Sequence, residues 1–183
     1  MLLFNKKIKR FIWKFLKKIS LNKYQCSIEE IDTAKETVTI NAKGTCSPIK
    51  LKFDEVIHDI LVLSNLPPLQ ASWIGYYYGI KYGSSAMHSP SNLTNYKFCF
   101  DEFQSKFKLL FVDRFNNITY LNRKNGNNVT TSPIIILKDT SLIRNFSSLE
   151  ACYIGILWGI YIHKKNHRNV SYPSYQVDLR AVD

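Results

Sequence analysis

Two stretches of the chain share one pattern of apolar, small and polar positions at helical spacing. The first runs from Leu69 to Ile80 and the second from Leu149 to Ile160, with six identical positions between them. Each stretch contains one alanine and two glycines at intervals of four, which places them on one face of an α-helix. These small residues are Ala71, Gly75, Gly79, Ala151, Gly155 and Gly159.

Two glycines within one helix need a compensating interaction, because each costs about 1 kcal/mol relative to alanine. Close approach of a second backbone is the compensation that a face without side chains allows. We therefore predict that the two helices cross with their small-residue faces in contact, about a pseudo-twofold axis. The same faces could instead meet a second copy of the chain, so a homo-oligomer through these helices stays open.

Weaker matches lie upstream of both helices, in the same order. Ser47-Pro48-Ile49 resembles Ser132-Pro133-Ile134, and Tyr24 to Cys26 loosely resembles Tyr96 to Cys99. Ordered matches predict an internal duplication. We expect an α+β fold with an N-terminal amphipathic helix and two strands-then-helices halves packed through the Ala/Gly-rich helices. The predicted boundaries are an arm at 1–23, a first repeat at 24–90 and a second repeat, with a C-terminal strand or tail, at 91–183.

Alternating apolar positions and turn residues predict the strands, and capping residues predict the helices. One helix is predicted from a cap at Asp54 to Asn65, and another from Pro67-Pro68 to Tyr82. A capping box of Ser147 and Glu150 predicts the last helix, which extends to about Lys165. Strands are predicted at 24–31, 37–42, 46–53, 96–103, 106–113 and 117–122, with a buried β-rich run at 129–137 and a tail strand at 170–180.

The N-terminal arm is amphipathic at helical spacing. Its apolar positions lie on one side of a helix and are Phe4, Ile8, Phe11, Ile12, Phe15, Leu16 and Ile19. Its polar side and boundary carry Lys6, Lys7, Arg10, Trp13, Lys14, Lys17 and Lys18. Three interpretations stay open: the apolar side packs on the rest of the chain, it inserts into an anionic membrane surface, or the arm docks on an acidic partner or nucleic acid.

Charge favours the arm as the place to look for an anionic partner. The chain has a net charge of +11, and residues 1–28 contain eight bases and no acid. The remaining 155 residues contain 17 bases and 14 acids, a net charge of only +3. Lysine predominates over arginine in the arm, which disfavours bidentate reading of bases.

Motifs that carry chemistry are absent from the sequence. It has no G-x-x-x-x-G-K-[ST] loop, no G-x-S-x-G and no H-E-x-x-H. Several candidate residues are better explained by structural roles. His163 and His167 fit a cationic helix end, and Asp101-Glu102 fits a solvated strand end. Packing explains Cys152 and the tyrosines Tyr76, Tyr77, Tyr78 and Tyr82. His58 and Asp59 would point apart on a helix. We predict no enzyme, no metal and no cofactor.

Cysteine usage bears on the compartment. Cys26, Cys46, Cys99 and Cys152 are scattered without a C-x-x-C motif, which favours a reducing environment. An exported chain could pair Cys26 with Cys46. No run of about 20 apolar residues predicts a membrane span. We expect a cytoplasmic protein, with peripheral association at the inner face of a membrane left open through the arm.

These features predict a non-enzymatic interaction protein: an adaptor, a chaperone-like protein or a regulatory accessory component. Its basic arm would engage a membrane surface or an acidic partner protein. The alternative is a nucleic-acid-binding regulatory protein that uses the arm as an electrostatic anchor. An enzyme remains a third class if a pocket gathers His58, Cys46 or Asp101 from distant positions. The Lys-, Asn- and Ile-rich composition is typical of AT-rich microbial or viral genomes.

Overall fold

A computed structural model describes residues 26–87 and 105–168 of the 183-residue chain. The predicted arm helix, the predicted strand at 96–103 and the predicted tail strand lie outside the described residues. The described residues form two three-stranded antiparallel sheets, each followed by helices. The α+β class is therefore confirmed.

The first half begins with a sheet whose strands are ordered as in the chain. Its strands are β1 (Cys26–Asp32), β2 (Thr37–Ala42) and β3 (Ile49–Lys52). Three helices follow, α1 (Phe53–His58), α2 (Ile60–Asn65) and α3 (Pro68–Tyr82), and a 3-10 turn at Gly83–Met87 ends the half.

The second half repeats this order of elements. Its sheet contains β4 (Phe107–Val112), β5 (Ile118–Asn122) and β6 (Asn127–Thr131). Two short helices, α4 (Pro133–Lys138) and α5 (Thr140–Ile143), precede the long helix α6 (Ser148–Arg168). Both long helices, α3 and α6, pack against each other along their length.

The prediction of one continuous helix from Asp54 to Asn65 is wrong, because the chain breaks at Asp59. Asp59 is extended (φ −100°, ψ 92°), and its Oδ1 accepts hydrogen bonds from the N–H groups of Leu61 and Val62. Asp139 has the same geometry (φ −102°, ψ 98°) and caps α5 through Ser141 and Leu142. An extended aspartate that caps the next helix therefore divides the short helical segment in each half.

The prediction of a buried β-rich run over 129–137 is wrong for its second part, and in its first part Val129 and Thr130 are exposed, not buried. Strand β6 ends at Thr131, and α4 begins at Pro133. Proline fits the first turn of a helix because the missing N–H has no partner there. Ile136 is then fully buried against the second sheet, so tertiary packing outweighs the β preference of the Ile-Ile-Ile sequence.

Both sheets carry an irregularity at the same place in their first strand. The pairing of β1 with β2 shifts between Ile28 and Glu30, and that of β4 with β5 shifts between Leu109 and Phe111. Such a shift is a β-bulge, which inserts one extra residue and bends the strand. In each half, the residues before the bulge that face the helices are apolar and packed in the core.

The two hydrophobic cores interlock through the long helices. The core under the first sheet includes Val38 and Ile40, and it also contains Cys152, Ile156 and Ile160 from α6. The core under the second sheet contains Leu69 from α3. Each half therefore needs side chains of the other half to complete its core.

Candidate functional site

The long helices cross with Gly75 and Gly155 in equivalent positions. A Cβ added at Gly75 would overlap the carbonyl oxygen of Cys152 and lie 2.8 Å from its carbonyl carbon. A Cβ added at Gly155 would overlap the carbonyl oxygen of Ser72 and lie 2.9 Å from its carbonyl carbon. The contact is reciprocal, since Ser72 and Cys152 are related by the same 80-residue offset as the glycines.

One turn further along, Gly79 and Gly159 repeat the arrangement. A Cβ at Gly79 would overlap the carbonyl oxygen of Ile156 and lie 3.0 Å from the Cα of Gly159. A Cβ at Gly159 would overlap the carbonyl oxygen of Tyr76 and lie 2.8 Å from the amide nitrogen of Ile80. Main chain thus meets main chain over two helical turns, and only glycine fits at these four positions.

The alanine of each trio is fully buried, but each belongs to the core of its own half. Ala71 lies in the first core and Ala151 in the second. The structure therefore brings the four glycines together at the crossing and places the alanines beneath the two sheets. Because the glycine faces are covered within one chain, a homo-oligomer through them would require an exchange of α6 between copies.

Two polar side chains tie the long helices to the bulged strands. Gln70 Oε1 accepts a hydrogen bond of 2.8 Å from the N–H of Ile28, and Glu150 Oε1 accepts one of 2.8 Å from the N–H of Leu109. Both strand residues directly precede the bulge. The sequence analysis missed these ties, although a polar residue at the same early position of two apolar helices was a signal that could have revealed them.

The predicted capping box at the start of α6 is confirmed. Glu150 Oε2 accepts hydrogen bonds from the backbone N–H (3.0 Å) and the hydroxyl (2.8 Å) of Ser147. The Ser147 hydroxyl oxygen accepts in return from the N–H of Glu150 at 3.3 Å. The Glu150 carboxylate thus accepts hydrogen bonds both at the start of α6 and from strand β4.

The tyrosines beside the first glycine face contribute to packing and to one polar contact. Tyr77 stacks on Phe53 with ring centroids 5.9 Å apart, and burial raises the pKa of its hydroxyl. Tyr78 is buried and packs against Tyr82 at 4.6 Å. The Tyr82 hydroxyl donates to the carboxylate of Asp54 at 2.8 Å. Asp54 therefore bonds to α3 instead of capping α1.

The histidines do not gather into a metal site in the described parts of the chain. His163 Nδ1 lies 2.6 Å from the carbonyl oxygen of Ile80, and its ring packs against Gly83. The side chain of His167 is outside the described residues, as is Asp101-Glu102. His58 is exposed, while the carboxylate of its neighbour Asp59 caps α2. Residues 26–87 and 105–168 hold no group of three or more His, Cys, Asp or Glu that could bind a metal ion.

The described cysteines are free thiols. Cys46 is exposed and Cys26 buried, so the pairing considered for an exported chain is not formed. Burial, with the nearby charge of Asp59 as a smaller cause, raises the pKa of Cys26 to about 11. Burial also raises the pKa of Cys152 far above its usual range. Both buried thiols are therefore protonated at neutral pH and act as packing groups.

The two halves differ strongly in charge. Residues 26–87 contain five bases and seven acids, a net charge of −2, whereas residues 105–168 contain ten bases and three acids, a net charge of +7. The sequence analysis did not divide the charge of the body between its halves. The basic surface is therefore not confined to the arm.

All three acids among residues 105–168 are hydrogen-bonded to nearby backbone. Asp113 accepts from the N–H groups of Phe115 and Asn117, Asp139 caps α5, and Glu150 caps α6. A hydrogen bond from the Asn117 side chain, with further bonds from backbone N–H groups, lowers the pKa of Asp113. The Ser141 side chain, with the same kind of backbone bonds, lowers the pKa of Asp139.

Strand pairing also defines the outward rows of the two sheets, which point away from the helices. The first outward row after the bulge is Glu30, Thr39 and Lys50 in the first sheet. Its counterpart in the second sheet is Phe111, Thr119 and Thr130. Phe111 is 55% exposed. The position that carries a carboxylate in one half thus carries a solvent-exposed phenyl ring in the other.

Comparisons with known proteins give no family assignment. The chain matches no protein-family model, no curated protein and no solved structure. Within the described ranges, no helix combines the length and the apolar content needed to cross a bilayer. The arm residues predicted to bind a partner, Lys6, Lys7, Arg10, Trp13, Lys14, Lys17 and Lys18, lie outside the described residues.

Proposed function

We propose that the protein is a non-enzymatic interaction protein whose body presents a basic arm to an anionic membrane surface or an acidic partner protein. The uneven distribution of charge carries this proposal. The arm contributes eight bases without an acid, and residues 91–183, with 12 bases and seven acids, add a net charge of +5. The first half, at −2, contributes no net positive charge to the surface. Such segregation favours association with polyanions through long-range attraction.

The body is suited to act as a firm support for the arm. Residue Cys26, at the start of the described chain, is buried in the first core, and only two residues separate the arm from it in the sequence. Backbone-to-backbone packing of α3 and α6 locks both halves together. An adaptor, a chaperone-like protein or a regulatory accessory component needs this combination of a fixed body and a charged extension.

We also propose that the body arose by internal duplication, with repeats at 24–90 and 91–183. Both halves have the same order of strands and helices. The capping aspartates Asp59 and Asp139 and the tie residues Gln70 and Glu150 are each 80 positions apart. Reciprocal contacts at the glycines support the same relation. Duplication would explain why two helices of one chain share a self-complementary face.

Nucleic-acid binding is the second candidate function, with the arm as electrostatic anchor. The specific observation in its favour is the ten bases among residues 105–168, which would extend a positive surface beyond the arm. Sequence-independent binding to phosphates requires only such a surface.

An arm-neutralised full-length variant tests the main proposal. It replaces Lys6, Lys7, Arg10, Lys14, Lys17 and Lys18 by glutamine. The control variant removes the same charge from lysines of the body, by glutamine at Lys43, Lys52, Lys124, Lys138, Lys164 and Lys165. Binding is measured to vesicles with and without phosphatidylserine, to polyglutamate and to a single-stranded oligonucleotide.

Arm neutralisation is expected to weaken binding to anionic vesicles or to polyglutamate at least tenfold, because each basic residue near such a surface contributes up to about 1 kcal/mol. The control should lose much less. Loss of oligonucleotide binding alone would favour the second candidate. Equal binding by both variants to every probe would overturn the role of the arm.

A further inference from the structure

The outward face of the second sheet is basic at one end. Lys106 and Arg123 are neighbours there, because the Arg123 N–H donates to the Lys106 carbonyl oxygen at 3.0 Å. The next outward row pairs Lys108 with Leu121. Side chains alternate between the two faces of a strand, and the intervening residues Phe107 and Tyr120 are buried in the core. The cations therefore project away from the helices.

The other end of the same face is aromatic. Phe111 is 55% exposed in the row with Thr119 and Thr130. The turn that follows β4 exposes 71% of Phe115, and the Arg114 guanidinium lies 4.7 Å from the Phe115 ring centroid. Outward rows of a strand are about 7 Å apart, so a short flexible polymer could contact both ends at once.

We propose that this outward face, formed by Lys106, Lys108, Phe111, Leu121 and Arg123, binds single-stranded nucleic acid. A base stacks on Phe111, and the cations contact the phosphates. Stacking on aromatic side chains inside a basic surface is how sequence-tolerant single-strand binding arises. The exposed Thr130 lies in the same row as Phe111, and its hydroxyl, which is paired with the Thr119 hydroxyl at 2.8 Å, keeps a further lone pair that can accept from a base edge.

Two features favour a single strand over other anionic ligands. The Thr119 and Thr130 hydroxyls hydrogen-bond to each other at 2.8 Å. Their remaining hydrogen-bonding capacity would be lost if the face entered a membrane, whereas a stacked base leaves it available. The face of a three-stranded sheet also differs from the protruding helix or ribbon that enters a duplex groove. The first sheet provides an internal contrast, because Glu30 at the position of Phe111 would repel phosphates.

This inference shares its ligand class with the second candidate function but assigns the binding to a different surface, so the two can fail separately. The test uses the full chain with the native arm and with the arm-neutralised sequence. A fluorescent single-stranded oligothymidylate or oligouridylate of about 12 nucleotides, within the usual site size of such surfaces, is titrated at several salt concentrations. Thermal unfolding of each variant shows that it is folded.

The aromatic contact is tested by Phe111→Thr, with Phe111→Tyr as the conservative variant. Loss of a stacked base should weaken binding about tenfold in Phe111→Thr, while Phe111→Tyr keeps affinity within about twofold because the ring remains. Equal affinities of the two variants would overturn the proposal. So would a Phe111→Thr defect that appears with phosphatidylserine vesicles and not with the oligonucleotide.

The cationic contact is tested by Lys106→Gln with Arg123→Gln. The matched control, Lys138→Gln with Arg144→Gln, removes the same charge from residues of the helical layer. Losing two phosphate contacts should reduce the slope of log affinity against log salt by about 1.4, at about 0.7 per phosphate of a single strand. An equal reduction in the control would show general attraction only and overturn the assignment. If only arm neutralisation reduces binding, the arm is the site and the sheet is not.

Discussion

The first and second sheets share their strand order and their bulge, yet they resemble each other more closely on the inward face than on the outward face. On the inward face, the row before the bulge is apolar in both: Ile28, Ile40 and Ile49 in one, and Leu109, Tyr120 and Val129 in the other. On the outward face, the first sheet has the charged and polar row Glu30, Thr39 and Lys50. At the equivalent positions, the second sheet has Phe111, Thr119 and Thr130. The core constrains the inward rows, so the two sheets differ mainly on the outward ones.

Substitutions at the crossing of α3 and α6 should lower the stability of the fold more than substitutions elsewhere, and by similar amounts in the two helices. We expect Gly75→Leu and Gly155→Leu each to lower the free energy of unfolding by about 3 kcal/mol or more. Overpacking against a fixed carbonyl exceeds the roughly 1 kcal/mol gained in helix propensity. Urea denaturation measures both, and the double variant should lose less than the sum because the sites are coupled.

Gly126→Ala is the control for this prediction. Its Cβ would meet nothing within 4 Å, so only its positive φ of 73° opposes the substitution. That conformation costs about 1–2 kcal/mol for a residue with a side chain. An unchanged unfolding midpoint in both leucine variants would refute the close crossing. A large loss of stability in only one of the two leucine variants would show that the two halves are not equivalent at the crossing.

The ties from the long helices to the bulged strands should differ in strength. We expect Gln70→Ala to cost about 1 kcal/mol, as for a neutral hydrogen bond, and Glu150→Ala about 2 kcal/mol, because this carboxylate also caps α6. Hydrogen exchange should become faster at the N–H of Ile28 in the first variant and of Leu109 in the second. Glu150→Gln keeps an acceptor for Leu109 and should lose less; an equal loss would argue against the tie.

The helix crossing was the part of the fold most open to prediction, because glycines four apart in a helix are costly unless a second backbone packs on them. The break at Asp59 was harder to see, since Val56, Ile57, Ile60 and Leu61 suit an unbroken helix. Its cap depends on an extended backbone that no local pattern specifies. The run from Ile134 to Leu137 was misleading for the opposite reason, because burial against the second sheet overrides the β preference of isoleucine.

The outward face of the second sheet was beyond prediction for a different reason. Lys106 and Arg123 are 17 positions apart, and the register of the sheet makes them neighbours. The bulge also decides which way Phe111 points, since one inserted residue reverses the side of every residue after it. Composition alone located the positive charge in the arm because the acidic first half concealed the basic second half.

Acid should affect the second half through its capping aspartate. The pKa of Asp139 is lowered, so its carboxylate stabilises the fold above the ordinary aspartate value of about 3.9, and this contribution disappears as pH falls through the lowered pKa. Asp139→Asn should flatten the dependence of stability on pH below about 4. Ser141→Ala removes the largest cause and should give an intermediate curve. A curve identical to that of the native chain would contradict this assignment.

Exchanging the outward residues after the bulge should have the smallest effect on stability. We expect Phe111→Glu and Glu30→Phe each to change the free energy of unfolding by no more than about 0.5 kcal/mol, as exposed positions usually do. Chemical denaturation is the measurement, and Phe107→Glu, at a buried position of the same strand, is the destabilised control. If Phe111→Glu unfolded the protein, the phenyl would belong to the core and the contrast between the sheets would fail.

The interlocked cores impose an order on biosynthesis. Cys152, Ile156 and Ile160 complete the core beneath the first sheet. The ribosome adds them only after it has added more than 60 residues beyond Met87, where the 3-10 turn after α3 ends. A nascent chain that already contains β1 to α3 therefore still lacks part of its hydrophobic core. We expect it to remain loosely packed and dependent on chaperones until α6 has been synthesised, when both halves become native together.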